Sequence, residues 1–130
     1  MDFLTLRDNA ARARTASDAV VAGEWAFINN VLPIDLEDDG VALPEYIEEQ
    51  TLKVFANLEI ILARIGATKN DVVSVRVAVT RMDQLFKRFE QAYEGFFEAG
   101  RLPTRSCVGV VHLTRGAQVS MDFVVRRAGS

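Results

Sequence analysis

Valine occupies positions 73, 75, 77 and 79, with Ser74, Arg76, Ala78 and Thr80 between them. A period of two puts the two sets on opposite faces of an extended strand, so a wholly apolar face arises here and has to be covered. Two later stretches alternate in the same way. Over residues 118–126, Val119, Met121, Phe123 and Val125 oppose Gln118, Ser120, Asp122, Val124 and Arg126. Over residues 105–113, Ser106, Val108, Val110 and His112 oppose Arg105, Cys107, Gly109, Val111 and Leu113. The short segment 114–117 contains Gly116 and reads as a hairpin turn between these last two strands. Shorter runs at 19–21 and 25–28 flank Gly23 and Glu24 and predict an N-terminal hairpin.

The cover for these strands lies in two helical patterns. Val54, Phe55, Leu58, Ile61, Leu62 and Ile65 recur at spacings of three and four. Pro44 suits the first turn, Glu45, Glu48 and Glu49 complement the positive end of the helix dipole, and Gly66 suits a left-handed cap, so the spacing predicts a helix over 44–65. A second helix is predicted over 83–100, with Asp83 as N-cap and Phe86, Phe89, Tyr93, Phe96 and Phe97 as an aromatic stripe facing the core. Strand, strand, helix, strand, helix, strand, strand is the order of an α+β two-layer subunit, with both helices on one face of a mostly antiparallel sheet. Val111, Leu113 and Val124 make the other face more apolar than solvent requires, which predicts packing on copies of the same chain.

At 130 residues the chain is read as one domain, with 1–17 a segment of no assigned element. The acidic loop over 34–40 reads as a solvated connection. A net charge of −3 supplies no basic field for phosphate, so no nucleic-acid partner is expected. One cysteine, Cys107, and one histidine, His112, cannot make a zinc site of thiolates and imidazoles, and no metal or cofactor is expected. His112 sits in the apolar run Val110-Val111-His112-Leu113 and reads as a strand histidine rather than a catalytic base. Charge breaks the first eight residues too early for a signal-peptide core, and no segment approaches a membrane span. A soluble protein in a reducing, cytoplasmic setting, with no membrane partner, is the expectation.

The run Leu102-Pro103-Thr104-Arg105-Ser106-Cys107-Val108-Gly109-Val110 resembles the signature of the Rid family, also called YjgF. Asn57-Leu58-Glu59, the stretch 66–73, Tyr93-Glu94-Gly95-Phe96-Phe97 and the expected closing hairpin fall in that family's order and spacing, so the resemblance extends over residues 18–127. It implies a chorismate-mutase-like fold, a homotrimer, and ligand sites in clefts between subunits. It also implies that Arg105 clamps a substrate carboxylate, as a planar guanidinium can do through two parallel charge-assisted bonds. Cys107 matches the position whose backbone helps hold the attacking water.

Three positions depart from the deaminating pattern of the family. Ser120 stands where a water-handling glutamate is usual, and Ala16 and Asn30 stand where a tyrosine and a glycine line the cleft. Asp122, two residues beyond Ser120 on the same strand face, is the candidate replacement. The expected site therefore has Arg105, Cys107 and Asn30 binding the substrate and Ser120, Asp122 and Cys107 handling water. The expected reaction is hydrolysis of small 2-imino or 2-enamino acids to a 2-oxo acid and ammonia. A protein that only binds a small carboxylate metabolite, or a divergent enzyme for a larger enamine, are the alternatives that the loss of the glutamate leaves open. Phosphodiester cleavage, also associated with the family, is not expected of an acidic chain with one histidine.

Overall fold

The computed structural model of the chain describes residues 1–6, 15–38 and 40–127. Its elements are β1 (Asp2–Leu4), β2 (Ala19–Ala22), β3 (Trp25–Val31), α1 (Ile47–Arg64), β4 (Val72–Thr80), α2 (Met82–Tyr93), β5 (Thr104–Val110) and β6 (Val119–Arg126). They form one six-stranded sheet in the order β1-β2-β3-β6-β4-β5, antiparallel except for the β4–β5 pair. Both helices pack on one face of it, which is the two-layer α+β arrangement that the alternating and helical periods imply. The N-terminal segment, to which the sequence reading assigned no element, contributes β1 against β2. Residues 7–14 of that segment lie outside the described residues.

The core is made by the residues that the two periods select. Val75, Val77 and Val79 of β4 and Val119, Met121, Phe123 and Val125 of β6 are all buried beneath Val54, Phe55, Leu58, Ile61 and Leu62 of α1 and Leu85 and Phe89 of α2. Val73 breaks the pattern. The β4–β6 register shifts between Val72 and Ser74, so Val72 takes the core position and Val73 turns outward.

The expected hairpin between the last two strands does not form. β5 runs parallel to β4 on the outer side, joined to it by the α2 crossover, and β6 inserts antiparallel between β3 and β4. The physical reason is burial. β6 has an unbroken apolar face that needs cover from both helices, whereas β5 carries only the half-buried Cys107 and Val110 and can sit at the edge. The connection contains a 3₁₀ turn at Thr114–Gly116, and His112 lies exposed beyond the end of β5 rather than in a strand.

Helix ends also differ from expectation. α1 starts at Ile47, with Pro44 in the approach rather than the first turn, and Tyr46 is its N-cap. α2 is capped by Arg81 in the left-handed region (φ 45°), with Asp83 inside its first turn. It stops at Tyr93 because Gly95 adopts φ 95° and turns the chain back. That reversal brings Phe96 flat onto Phe55, ring centroids 3.9 Å apart, and sets Phe97 edge-on to both. The aromatic stripe is thus core, as its spacing predicts, although two of its five residues, Phe96 and Phe97, lie beyond the helix. At the other end of α2 Gly109 allows close approach to β5: a Cβ there would lie 3.1 Å from Cβ of Met82.

The acidic loop after β3 is ordered by its own carboxylate. Oδ1 of Asp35 accepts the backbone N–H groups of Glu37 and Asp38. Asn57 of α1 donates to the carbonyls of both Leu32 and Ile34, which pins the start of that loop to the helix. No helix among the described residues is long and apolar enough to cross a membrane.

Candidate active site around Arg105

Residues paired across a sheet share a face. Arg105 is opposite Val75 and Cys107 is opposite Val77, so both side chains lie on the helix side of the edge strand β5. The Arg105 guanidinium stands over the ring of Tyr93, 4.7 Å from its centroid, and at 6.0 Å from that of Phe89. Its Nη1 donates to Oε1 of Glu90, one turn back on α2. An aromatic face and a carboxylate together fix the plane of a guanidinium that still has other N–H donors to offer.

These neighbours set the protonation states. The hydrogen bond that Arg105 donates to Glu90 holds its guanidinium above its ordinary range, although partial burial works against the charge. Burial pushes the Tyr93 hydroxyl up to about 12 in spite of the Arg105 charge, so it is a neutral donor at physiological pH. Burial likewise raises the Cys107 thiol, with Arg105 pulling it down and Glu90 pushing it up.

Beside the guanidinium is a pocket of about 220 Å³, walled by Glu90, Tyr93, Glu94, Phe97, Leu102 and Arg105. That is smaller than the roughly 300–1,000 Å³ typical of pockets for drug-sized ligands. Its dimensions suit a small metabolite with one charged end and a short apolar tail.

Ser120, Asp122 and Asn30 lie elsewhere. Ser120 is opposite Ala78, and Ala78 is opposite Val108, which places them on the sheet face away from the helices. Asp122, opposite Arg76, is on the same open face. Its Oδ1 accepts the backbone N–H of Asn30 at 2.7 Å. Asn30 has φ 58° and occupies the bulge where the β3–β6 register shifts between Ile28 and Val31. Ala16 is exposed just ahead of β2. Within one chain the sheet therefore separates Arg105 and Cys107 from Asn30, Ser120 and Asp122.

The sequence reading gave no site role to Glu90, Glu94 or Tyr93, placing Tyr93 in the core stripe and Tyr93 and Glu94 in the family-like run 93–97. Glu94 caps the end of α2, its N–H donating to the carbonyl of Glu90, and the spacing of four keeps the two glutamates on one side of the helix end. Only the seating of α2 across β5 turns that flank into the wall of a pocket.

A mixed sheet backed by two helices, with an arginine stacked on an aromatic ring at its edge, defines a YjgF-like two-layer subunit. The comparisons carry this to a family. The family model described as endoribonuclease L-PSP matches residues 8–126. A RutC family protein of Pyrococcus abyssi is 31% identical over 108 residues, which is 83% of each chain. The crystal structure of a putative endoribonuclease from Thermotoga maritima superimposes with a TM-score of 0.85 at 32% identity, covering 99% of both chains. A 2-iminobutanoate/2-iminopropanoate deaminase of Dermatophagoides farinae is 24% identical over 109 residues, 84% of this chain and 83% of its own. The chain belongs to the endoribonuclease L-PSP family, the Rid/YjgF proteins, some of whose members are named as deaminases.

Proposed function

We propose that this protein hydrolyses small 2-imino or 2-enamino acids to the 2-oxo acid and ammonia, as a homotrimer whose sites form between subunits. The observation that carries the reading is Arg105, a guanidinium held in one plane by Tyr93 and Glu90 at the wall of a small, partly apolar pocket. The name of the mite relative supports the substrate class. An iminium carbon is already electrophilic, so holding it by its carboxylate beside a positioned water supplies much of the rate gain.

Opposite faces of one sheet cannot wall one pocket. Arg105 and Cys107 of one subunit would meet Ser120, Asp122 and Asn30 only across a boundary with a second copy. The open sheet face supports such an assembly. Along one row of paired residues it presents Phe3, Val20, Phe27 and Val124, with Trp25 and Val108 exposed to either side. A cytoplasmic setting, in keeping with the lone cysteine, is part of the proposal.

The reaction is tested by generating 2-iminopropanoate with an amino-acid oxidase and trapping it with semicarbazide. Added protein should slow semicarbazone formation by competing for the imine, and Arg105→Ala should weaken that competition at least about thirtyfold, as loss of a charge-assisted carboxylate contact does. Ser120→Glu should strengthen it by restoring a carboxylate that can handle water. If the wild type and Ser120→Glu are both without effect, the deaminase reading is wrong. Retained binding of a 2-oxo acid in that case would favour the binding protein that the missing glutamate also suits. Sedimentation equilibrium showing a stable monomer or dimer would refute the trimer.

A further inference from the structure

The Arg105 pocket carries more negative than positive charge. Glu90 on the last turn of α2 and Glu94 just past its end share the pocket of about 220 Å³ with a single guanidinium, and Glu90 already occupies Nη1 of Arg105. A plain carboxylate anion entering such a site meets a like charge bonded to its own anchor. A ligand with a carboxylate at one end and a cationic nitrogen on the next carbon does not. Its carboxylate takes the remaining donors of Arg105, and its nitrogen faces the two glutamates.

We propose that Glu90 determines the specificity of this pocket, favouring 2-iminio and 2-ammonio carboxylates over the plain carboxylate that hydrolysis leaves. The inference rests on the reading of Arg105 as a carboxylate anchor. It adds a reason for turnover to proceed outward. Water oxygen bonds to the iminium carbon, the C–N bond breaks, and nitrogen departs as ammonium with the two protons of water. The 2-oxo acid that remains has lost the positive end that the glutamates attract. Substrate and product share the carboxylate, so the discrimination comes from the acidic wall. Phe97 and Leu102 complete the pocket with apolar surface for a short alkyl chain.

The test uses two stable probes, 2-aminobutanoate for the zwitterion and 2-oxobutanoate for the anion, titrated into the full-length wild type, Glu90→Gln and Arg105→Gln and followed by backbone amide shifts. In the wild type 2-aminobutanoate should bind about tenfold tighter. Glu90→Gln should erase or reverse that ratio, raising the affinity for 2-oxobutanoate and lowering that for 2-aminobutanoate. If Glu90→Gln changes both affinities by the same factor, or neither, Glu90 merely positions Arg105 and the proposal falls. Arg105→Gln separates the premise from the proposal. Loss of both probes there upholds the carboxylate anchor, whereas unchanged binding of both overturns it. Binding of neither probe to any of the three proteins overturns anchor and specificity together.

Discussion

Replacing Asp122 separates a structural from a chemical use of the same carboxylate. Its Oδ1 accepts the N–H of Asn30 at 2.7 Å, and Asn30 is a non-glycine residue held at φ 58° in the β3 bulge. A left-handed conformation costs a non-glycine residue about 1 kcal/mol, and a half-buried bond from a backbone N–H to a carboxylate contributes about 1.5–3 kcal/mol, so the bond is what holds the bulge in place. Asp122→Ala should destabilise the protein by about 2 kcal/mol, because the Asn30 N–H loses its acceptor. For a chain of this size that lowers Tm by about 6–10 °C. Asp122→Asn keeps an acceptor oxygen and should cost less than about 1 kcal/mol. Asn30→Gly in the Asp122→Ala background should recover about half of the loss by removing the left-handed penalty. Urea unfolding at one fixed protein concentration measures all four, since self-association makes apparent stability concentration-dependent. Equal destabilisation by Asp122→Ala and Asp122→Asn, or an Asp122→Ala protein as stable as the wild type, would refute the bulge argument. Imine hydrolysis retained by Asp122→Asn would further show that the carboxylate charge is not needed for handling water.

Gly109→Ala places a Cβ 3.1 Å from Cβ of Met82 and should cost about 1–3 kcal/mol by denaturant unfolding, and part of it should be recovered in the Gly109→Ala, Met82→Gly double variant, which lacks that Cβ. Burial raises the Cys107 thiol, so its alkylation by iodoacetamide should require a higher pH than that of a free thiol. Arg105 favours the thiolate and Glu90 opposes it. The pH–rate profile should therefore move up in Arg105→Gln and down in Glu90→Gln, and a profile unmoved by both would refute that electrostatic assignment.

Periodicity alone determined the layers of this protein. The alternations over 72–81 and 118–126 and the helical stripe from Val54 to Ile65 selected the residues that form the core, because burying an apolar face is the one demand every tertiary arrangement has to meet. The motif around Arg105 and Cys107 likewise placed the two side chains on one strand face, which pairing with Val75 and Val77 bears out. Strand order was beyond such local patterns. β5 and β6 alternate equally well, and whether they pair or flank β4 depends on which has the face that two helices can cover. The bulges at Val72 and Asn30 arise from register between distant strands and exchange which side chain points inward. For the same reason only the folded chain could reveal that Arg105 faces Glu90 and Tyr93, while Ser120, itself buried, and Asp122 lie on the other face of the sheet. Contacts between residues 15 apart at the Arg105–Glu90 pair, or 92 apart at Asn30–Asp122, are decided by how the helix crosses the sheet, which no local period encodes.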